Sequence, residues 1–226
     1  MNSRVGEKSY FYGYDDELCS VEELALQYYA GMAGEGESGW VGLHTESRVW
    51  TSMWGLLFWD ILFSLTPGAS RVPHVFQTPF QTCPLDLDTE AFWQARQPIL
   101  RGRLREIQRA GQGDLRCMVG EAWESHHGEQ CRGVHWEHCG REQLEAIAEC
   151  VGGPGLSHIC RLLAEDYCHW HRGMPDLVLW RDDGRARLVE VKGPRDTLSD
   201  AQKEWLRELH DAGVDAEVLQ VQEKPL

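Results

Sequence analysis

The sequence has no apolar run long enough to span a bilayer, no CxxC pair and no excess of basic charge. Each absence removes a class of explanation. A spanning helix needs roughly 20 apolar residues. The best candidate, MWGLLFWDILFSL (Met53 to Leu65), is shorter, carries Asp60 and stops at Thr66-Pro67-Gly68. The opening MNSRVGEKSYFYGYDDEL lacks the apolar centre of a signal peptide. These points predict a soluble, intracellular chain with no membrane partner. The abrupt start fits a piece of a longer protein. The eight cysteines, at 19, 83, 117, 131, 139, 150, 160 and 168, are scattered. Without a secretion signal they read as reduced thiols, mostly small core residues. The net charge of −14 means that the chain as a whole repels a phosphate backbone. It leaves room for a local basic groove or a metal site.

What is present starts with enough apolar material for a proper core. The 226 residues are long for one domain and short for two, and 42% are hydrophobic. The ten tryptophans read first as core packing. Charge is uneven along the chain. From Arg172 to Arg207, eight basic residues face seven acidic ones, so the acid excess lies elsewhere.

No internal repeat or long low-complexity segment is visible. GMAGEGESGWVG (Gly31 to Gly42) reads as a flexible loop. Before it, SVEELALQYY carries a capping box, Ser20 with Glu23, ahead of apolar residues at helical spacing. After it, a segment apolar nearly all round predicts a buried central helix from about Glu46 to Phe63. Pro67 to Pro84 is a proline-rich connector. DTEAFWQARQPILRGRLREIQRAG predicts a helix broken or kinked at Pro98. EQLEAIAECVGG and GLSHICRLLAEDYCHW predict two helices separated by Gly-Gly-Pro-Gly. The texture then changes. DLVLW and ARLVEVK are short β runs joined by RDDGR, followed by an amphipathic helix ending at Gly213 and a last strand, DAEVLQVQ. The expected organisation is an N-terminal segment (1–19), a mainly helical part (20–170) and a β-β-α-β core (171–222).

GMPDLVLWRDDGRARLVEVKG, Gly173 to Gly193, places acids and a lysine at the ends of core-like strands. Glu190 and Lys192 are two apart, so they share a face of the strand while Val191 points into the core. Hairpin pairing brings Asp176 close to Glu190. Two carboxylates at one spot repel unless something neutralises them. A divalent cation with oxygen ligands does so, and a neighbouring lysine can orient a water or steady charge on phosphate oxygens. On spacing alone, though, a Glu and a Lys at strand ends usually face solvent.

At Pro175-Asp176 and Glu190-Val191-Lys192 the sequence resembles the PD-(D/E)XK nuclease signature. The longer GMPDLVLW…RLVEVKGPRDTLSDAQKEWL is similar to the virus-type replication-repair nuclease domain. SVEELALQYY, GLHTESRVWTSMWGLLFWDILF, FQTPFQTCPLDLDTEAF and GGPGLSHICRLLAEDY extend the resemblance to the carboxy-terminal nuclease region of Fanconi-associated nucleases, plant-like members above all. It covers about residues 17 to 222. The short signature is weak; the extended combination is specific.

The resemblance implies an α/β fold. Its PD-(D/E)XK core is a short mixed sheet flanked by helices, with a helical layer built before it. It implies a Mg²⁺- or Mn²⁺-dependent nuclease that cuts branched DNA near a 5′ flap, degrades DNA from the 5′ side and serves interstrand cross-link repair in the nucleus. Carried over, Glu46, Asp176, Glu190 and Lys192 are the catalytic residues. Glu46, Asp176, Glu190 and the Val191 carbonyl are the metal ligands. Glu46 matches the acid of a His-Gly-Glu-Gly-like segment that here reads His44-Thr45-Glu46-Ser47. The family's zinc-finger, SAP-type and helical-repeat regions, which supply much of its DNA grip and its repair-protein contacts, are not visible here. Weak, salt-sensitive DNA binding by this chain alone follows.

Arg172, Arg195 and Lys203 flank the site and are candidates for phosphate contacts, and Gln202 is a supporting residue. His169 and His171 read as structural first. The cluster His126 to Cys139 suggests zinc, but its spacing fits no standard finger, and a polar loop is the plainer reading. Two other functions stay open on the core motif: a non-catalytic scaffold with a nuclease fold, and a related nuclease acting on junctions or RNA.

Overall fold

A computed structural model describes residues 10–14, 17–32, 39–63 and 75–222. Residues 1–9 of the N-terminal segment, 33–38 of the glycine-rich loop and 67–74 of the proline-rich connector lie outside this range. The centre is a four-stranded sheet in the order β3 (Val41–His44), β4 (Leu177–Trp180), β5 (Ala186–Lys192) and β6 (Ala216–Gln220). The first three run antiparallel, and β6 is parallel to β5. A parallel neighbour needs a crossover, and α8 (Asp200–Asp211) supplies it. A separate two-stranded ribbon pairs β1 (Phe11–Tyr12) with β2 (Leu18–Cys19).

Alternation along β4 and β5 divides the interior in two. Leu177, Leu179, Val189 and Val191 pack with Ala25, Tyr29 and Trp40 beneath α1 (Val21–Ala30). Val178, Trp180 and Leu188 face the larger core on the other side. That core is built by α2 (Arg48–Leu57), α3 (Trp59–Leu62), α4 (Glu90–Arg109), α5 (Gln112–His126) and α6 (Arg141–Glu165), with α7 (Tyr167–Trp170) and α8 at its edge. Trp50, Trp54 and Trp205 are fully buried there. Large apolar side chains of this kind contribute about 1.5–3 kcal/mol each on burial, so the tryptophans are core material as expected.

Several elements follow the sequence reading. Ser20 and Glu23 form the capping box of α1, with Ser20 N–H donating to Glu23 at 2.7 Å. The two helical segments around Gly-Gly-Pro-Gly are joined at Gly152, whose φ of 76° lies outside the helical region. Gly213, at φ 73°, follows α8 in the left-handed conformation that glycine adopts without strain. All eight cysteines are free. No helix among the described residues is long and apolar enough to cross a membrane.

Other elements differ from the reading. The expected helix from Glu46 to Phe63 begins at Arg48 and is interrupted at Phe58 (φ −115°, ψ 13°). Of the break or kink expected at Pro98, the break does not occur: helix α4 continues through it. Strand β3 overlaps the end of the expected Gly31–Gly42 loop and runs past it; its four residues, with half-exposed side chains, carry no alternating pattern that predicts a strand. Helix α5 has no counterpart among the expected elements. It buries only Leu115, Val119 and Gly120, so its apolar face is too thin to show.

Candidate active site

Strand pairing builds the site. In the β4–β5 ladder Leu177 sits opposite Val189, which sets Asp176 and Glu190 across from each other at the end of the hairpin. Asp176 Oδ2 accepts a hydrogen bond from the Val191 N–H at 2.8 Å. Glu190, on the face of β5 that meets the larger core, is 1% exposed. Lys192 Nζ lies 2.8 Å from Glu190 Oε1. The second oxygen, Oε2, is buried without a hydrogen-bond partner. A buried acceptor left unpaired costs about 1–3 kcal/mol, more if charged.

Gln202 is held by the capping box of α8 and reaches the same acid. Its Oε1 accepts from the Ser199 N–H at 2.9 Å, and Ser199 Oγ accepts from the Gln202 N–H at 3.2 Å. With the amide oxygen committed to the helix cap, Nε2 faces Glu190 Oε1 and donates to it at 2.5 Å. Helix initiation and site geometry therefore share one side chain.

Burial is the main force on both carboxyls. It pushes Glu190 up to about 7; Lys192 opposes the rise, and the charge of Asp176 adds to it. Asp176 is also raised by burial, against the pull of the Val191 N–H and Lys192. The pair cannot hold two charges comfortably without a cation. The oxygen-only donors and the orphaned Oε2 suit a hard divalent ion, and they belong to Asp176 and Glu190 with the Val191 carbonyl beside them.

The remaining sequence candidates are placed as follows. The carbonyl of Asp176 accepts from the N–H groups of Thr45 and Glu46, at 2.9 and 3.1 Å. The backbone of Glu46 is thus fastened to the site. Glu46 is the one non-glycine residue at positive φ among the described residues, at 49°. Its side chain is exposed, and its charge acts on His138. Among the described residues no three His, Cys, Asp or Glu side chains converge as a metal set. The structure therefore brings Asp176, Glu190, Lys192 and Gln202 together and adds the backbone, but not the carboxylate, of Glu46.

Arg172 is exposed, with Nε donating to His171 Nε2 at 3.0 Å, and its carbonyl accepts from Trp205 Nε1 at 2.7 Å. Arg195 is exposed on the β5–α8 connection. Lys203 pairs with Asp200 at 3.0 Å. His169 pairs with Glu204 at 3.0 Å, away from the acids. In the His126–Cys139 segment, Cys131 and Cys139 are core residues, and His126 stacks on Trp59 with ring centres 4.3 Å apart. The plain reading of that segment fits these contacts. Sequence reasoning missed Ser199, although Ser-x-x-Gln ahead of an amphipathic run is a legible cap signal.

Comparison with known proteins agrees with this geometry. The VRR-NUC domain matches residues 110–223, a span that holds Asp176, Glu190 and Lys192. A Fanconi-associated nuclease 1 homolog of Oryza sativa is 46% identical over 98% of this chain, and one of Arabidopsis thaliana is 45% identical over 98%. Human Fanconi-associated nuclease 1 is 41% identical over 90%. The chain spans 22%, 24% and 19% of those relatives' lengths. A crystal structure of paFAN1 bound to DNA with a 2-nt 5′ flap and a gap superposes with a TM-score of 0.79 at 27% identity. The match covers all of this chain and 39% of that one. The mixed sheet, its flanking helices and the acids at the hairpin end are thus a PD-(D/E)XK-like core, and the chain belongs to the VRR-NUC domain family.

Proposed function

We propose that this chain is the nuclease part of a Mg²⁺- or Mn²⁺-dependent enzyme that hydrolyses phosphodiester bonds in flapped or branched DNA. It acts as a 5′ flap endonuclease and 5′–3′ exonuclease in interstrand cross-link repair in the nucleus. Repair partners are engaged through regions of the longer protein. The observation that carries the reading is the buried Asp176–Glu190 pair, with Lys192 on one Glu190 oxygen and nothing on the other. Similarity to nucleases solved on 5′-flap DNA supports the choice of substrate.

Asp176, Glu190 and the Val191 carbonyl would hold the cation, and the carboxylate of Glu46, whose backbone is fastened to the Asp176 carbonyl, would complete the set. When bound, the cation supplies a Lewis acid and lowers the pKa of a coordinated water. Gln202 fixes the Glu190 carboxylate in place. Lys192 orients the attacking water or neutralises charge on the phosphate oxygens in the transition state. Arg172, Arg195 and Lys203, all exposed, would contact the DNA phosphates. Calorimetric titration with Mn²⁺ tests the reading: binding by the wild type and none by Glu190→Gln is expected. A protein that binds no Mn²⁺ would be a scaffold. A panel of 5′-flap, four-way-junction and RNA substrates checks selectivity, and preferential cutting of junction or RNA would overturn the flap assignment.

A further inference from the structure

A cavity of about 260 Å³ opens at the N-terminus of α2, immediately beyond Glu46. Ser47, Arg48, Arg132, His135, Tyr167 and His171 line it. In a chain of net charge −14, two arginines and two histidines from three separate segments meet here. The walls are firmly held. Ser52 Oγ donates to the Gly133 carbonyl at 3.3 Å and accepts from the His135 N–H at 2.9 Å, which fastens that loop to α2. The Arg132 N–H donates to the Thr82 carbonyl at 2.9 Å. Gly133 has φ 85°, and a Cβ there would collide with the Tyr167 hydroxyl, so the loop's close approach requires glycine.

The net charge of the cavity identifies the ligand. Arg132 is matched by Asp88 at 2.5 Å. Both ring nitrogens of His171 are already engaged, Nδ1 with the Tyr167 carbonyl at 2.7 Å and Nε2 with Arg172 Nε at 3.0 Å. Burial and the Arg48 charge hold His135 below its ordinary value, so it is neutral near pH 7. Arg48 pairs with no carboxylate among the described residues; its side-chain partner is His138 Nδ1 at 3.4 Å. The Ser47 hydroxyl makes no cap hydrogen bond and is left for a ligand. One uncompensated guanidinium among neutral donors matches a singly charged anion better than a doubly charged one.

We propose that this cavity is a subsite for one internal phosphodiester of the bound DNA strand, with Arg48 as its charged contact and Ser47 and His135 as neutral donors. The assignment rests on the nuclease reading of the adjacent acids, since Glu46 separates the two sites by a single turn of backbone. It places a further grip on the strand beside the cleavage point.

The test is fluorescence anisotropy with a labelled 5′-flap DNA in EDTA, where no cleavage occurs, repeated over a range of salt. Arg48→Gln is expected to bind about three- to tenfold more weakly, with the slope of log K against log salt reduced by about 0.9, one phosphate contact. Arg109→Gln, an exposed arginine on the last turn of α4, leaves both unchanged. The loss is expected to be the same with and without a 5′-terminal phosphate, and millimolar inorganic phosphate should not compete. An unchanged slope in Arg48→Gln overturns the proposal. A loss seen only with the terminal phosphate, or competition by inorganic phosphate, overturns the internal-diester assignment. Because the measurement needs no catalysis, failure of the nuclease reading shows separately, as absence of Mn²⁺-dependent cleavage by a wild type that still binds.

Discussion

Glu46 donates its backbone N–H to the carbonyl of Asp176 at 3.1 Å. This bond ties an acid of the helical part to the first acid of the β-hairpin. The entry to α2 and the start of β4 therefore move as one unit. The backbone of Glu46 is thereby fastened to the end of the hairpin.

The left-handed backbone of Glu46 predicts a separation of stability from activity. Positive φ costs a non-glycine residue roughly 1–2 kcal/mol, and such strain persists where function holds it. Glu46→Gly should be at least as stable as Glu46→Ala by chemical denaturation, since glycine relieves the strain. Both lose the carboxylate and should lose Mn²⁺-dependent cleavage alike.

A pH dependence follows from Glu190. Its folded pKa, about 7, stands above the unfolded value of 4.5. The folded state thus binds the proton more tightly. Its stabilising contribution is complete below about pH 4.5 and is lost as pH rises through about 7. Metal-free protein should lose denaturation stability over this window, and Glu190→Gln should flatten the decline. Added Mn²⁺ should raise the melting temperature more at pH 8 than at pH 5.5, because at the lower pH it competes with the proton.

Lys192 is the positive neighbour of Glu190, placed to act on charge that develops at the phosphate. Lys192→Met is expected to reduce kcat by about 10²–10³, the magnitude of losing one transition-state electrostatic contact. KM should change little. An equal loss in kcat/KM through KM alone would assign Lys192 to binding instead.

Gln202 serves both the helix cap and the site, and two variants separate these uses. Ser199→Ala removes the cap and should cost about 0.5–2 kcal/mol in stability. The Ser199 N–H that holds the Gln202 side-chain amide survives in this variant, so the Mn²⁺ affinity of Glu190 should change little. Gln202→Glu keeps the cap acceptor but faces Glu190 with a like charge, and calorimetry should show weaker metal binding than in Ser199→Ala.

Much of the hairpin site was legible because its signals are local. Asp176 and Glu190-Val191-Lys192 sit on strands whose apolar runs and turn identify them, and period-two geometry orients them. The kink at Gly152 and the capping box of α1 were legible for the same reason. Strand β3 was not, because an edge strand of four residues borrows its stability from pairing with β4. Helix α5 was not, because so few of its residues are buried. The Arg48–Arg132 cavity draws on elements far apart in the chain, and only packing of the larger core brings them together.

The central claim is that Asp176, Glu190 and Lys192 form a cation-dependent phosphodiesterase site. Cleavage of a 5′-flap DNA in Mn²⁺ by the wild type, Asp176→Ala and Lys192→Ala proteins tests it most directly. The account predicts cutting by the wild type, abolished by EDTA and by Asp176→Ala and strongly reduced by Lys192→Ala. Equal cutting by all three proteins would contradict it.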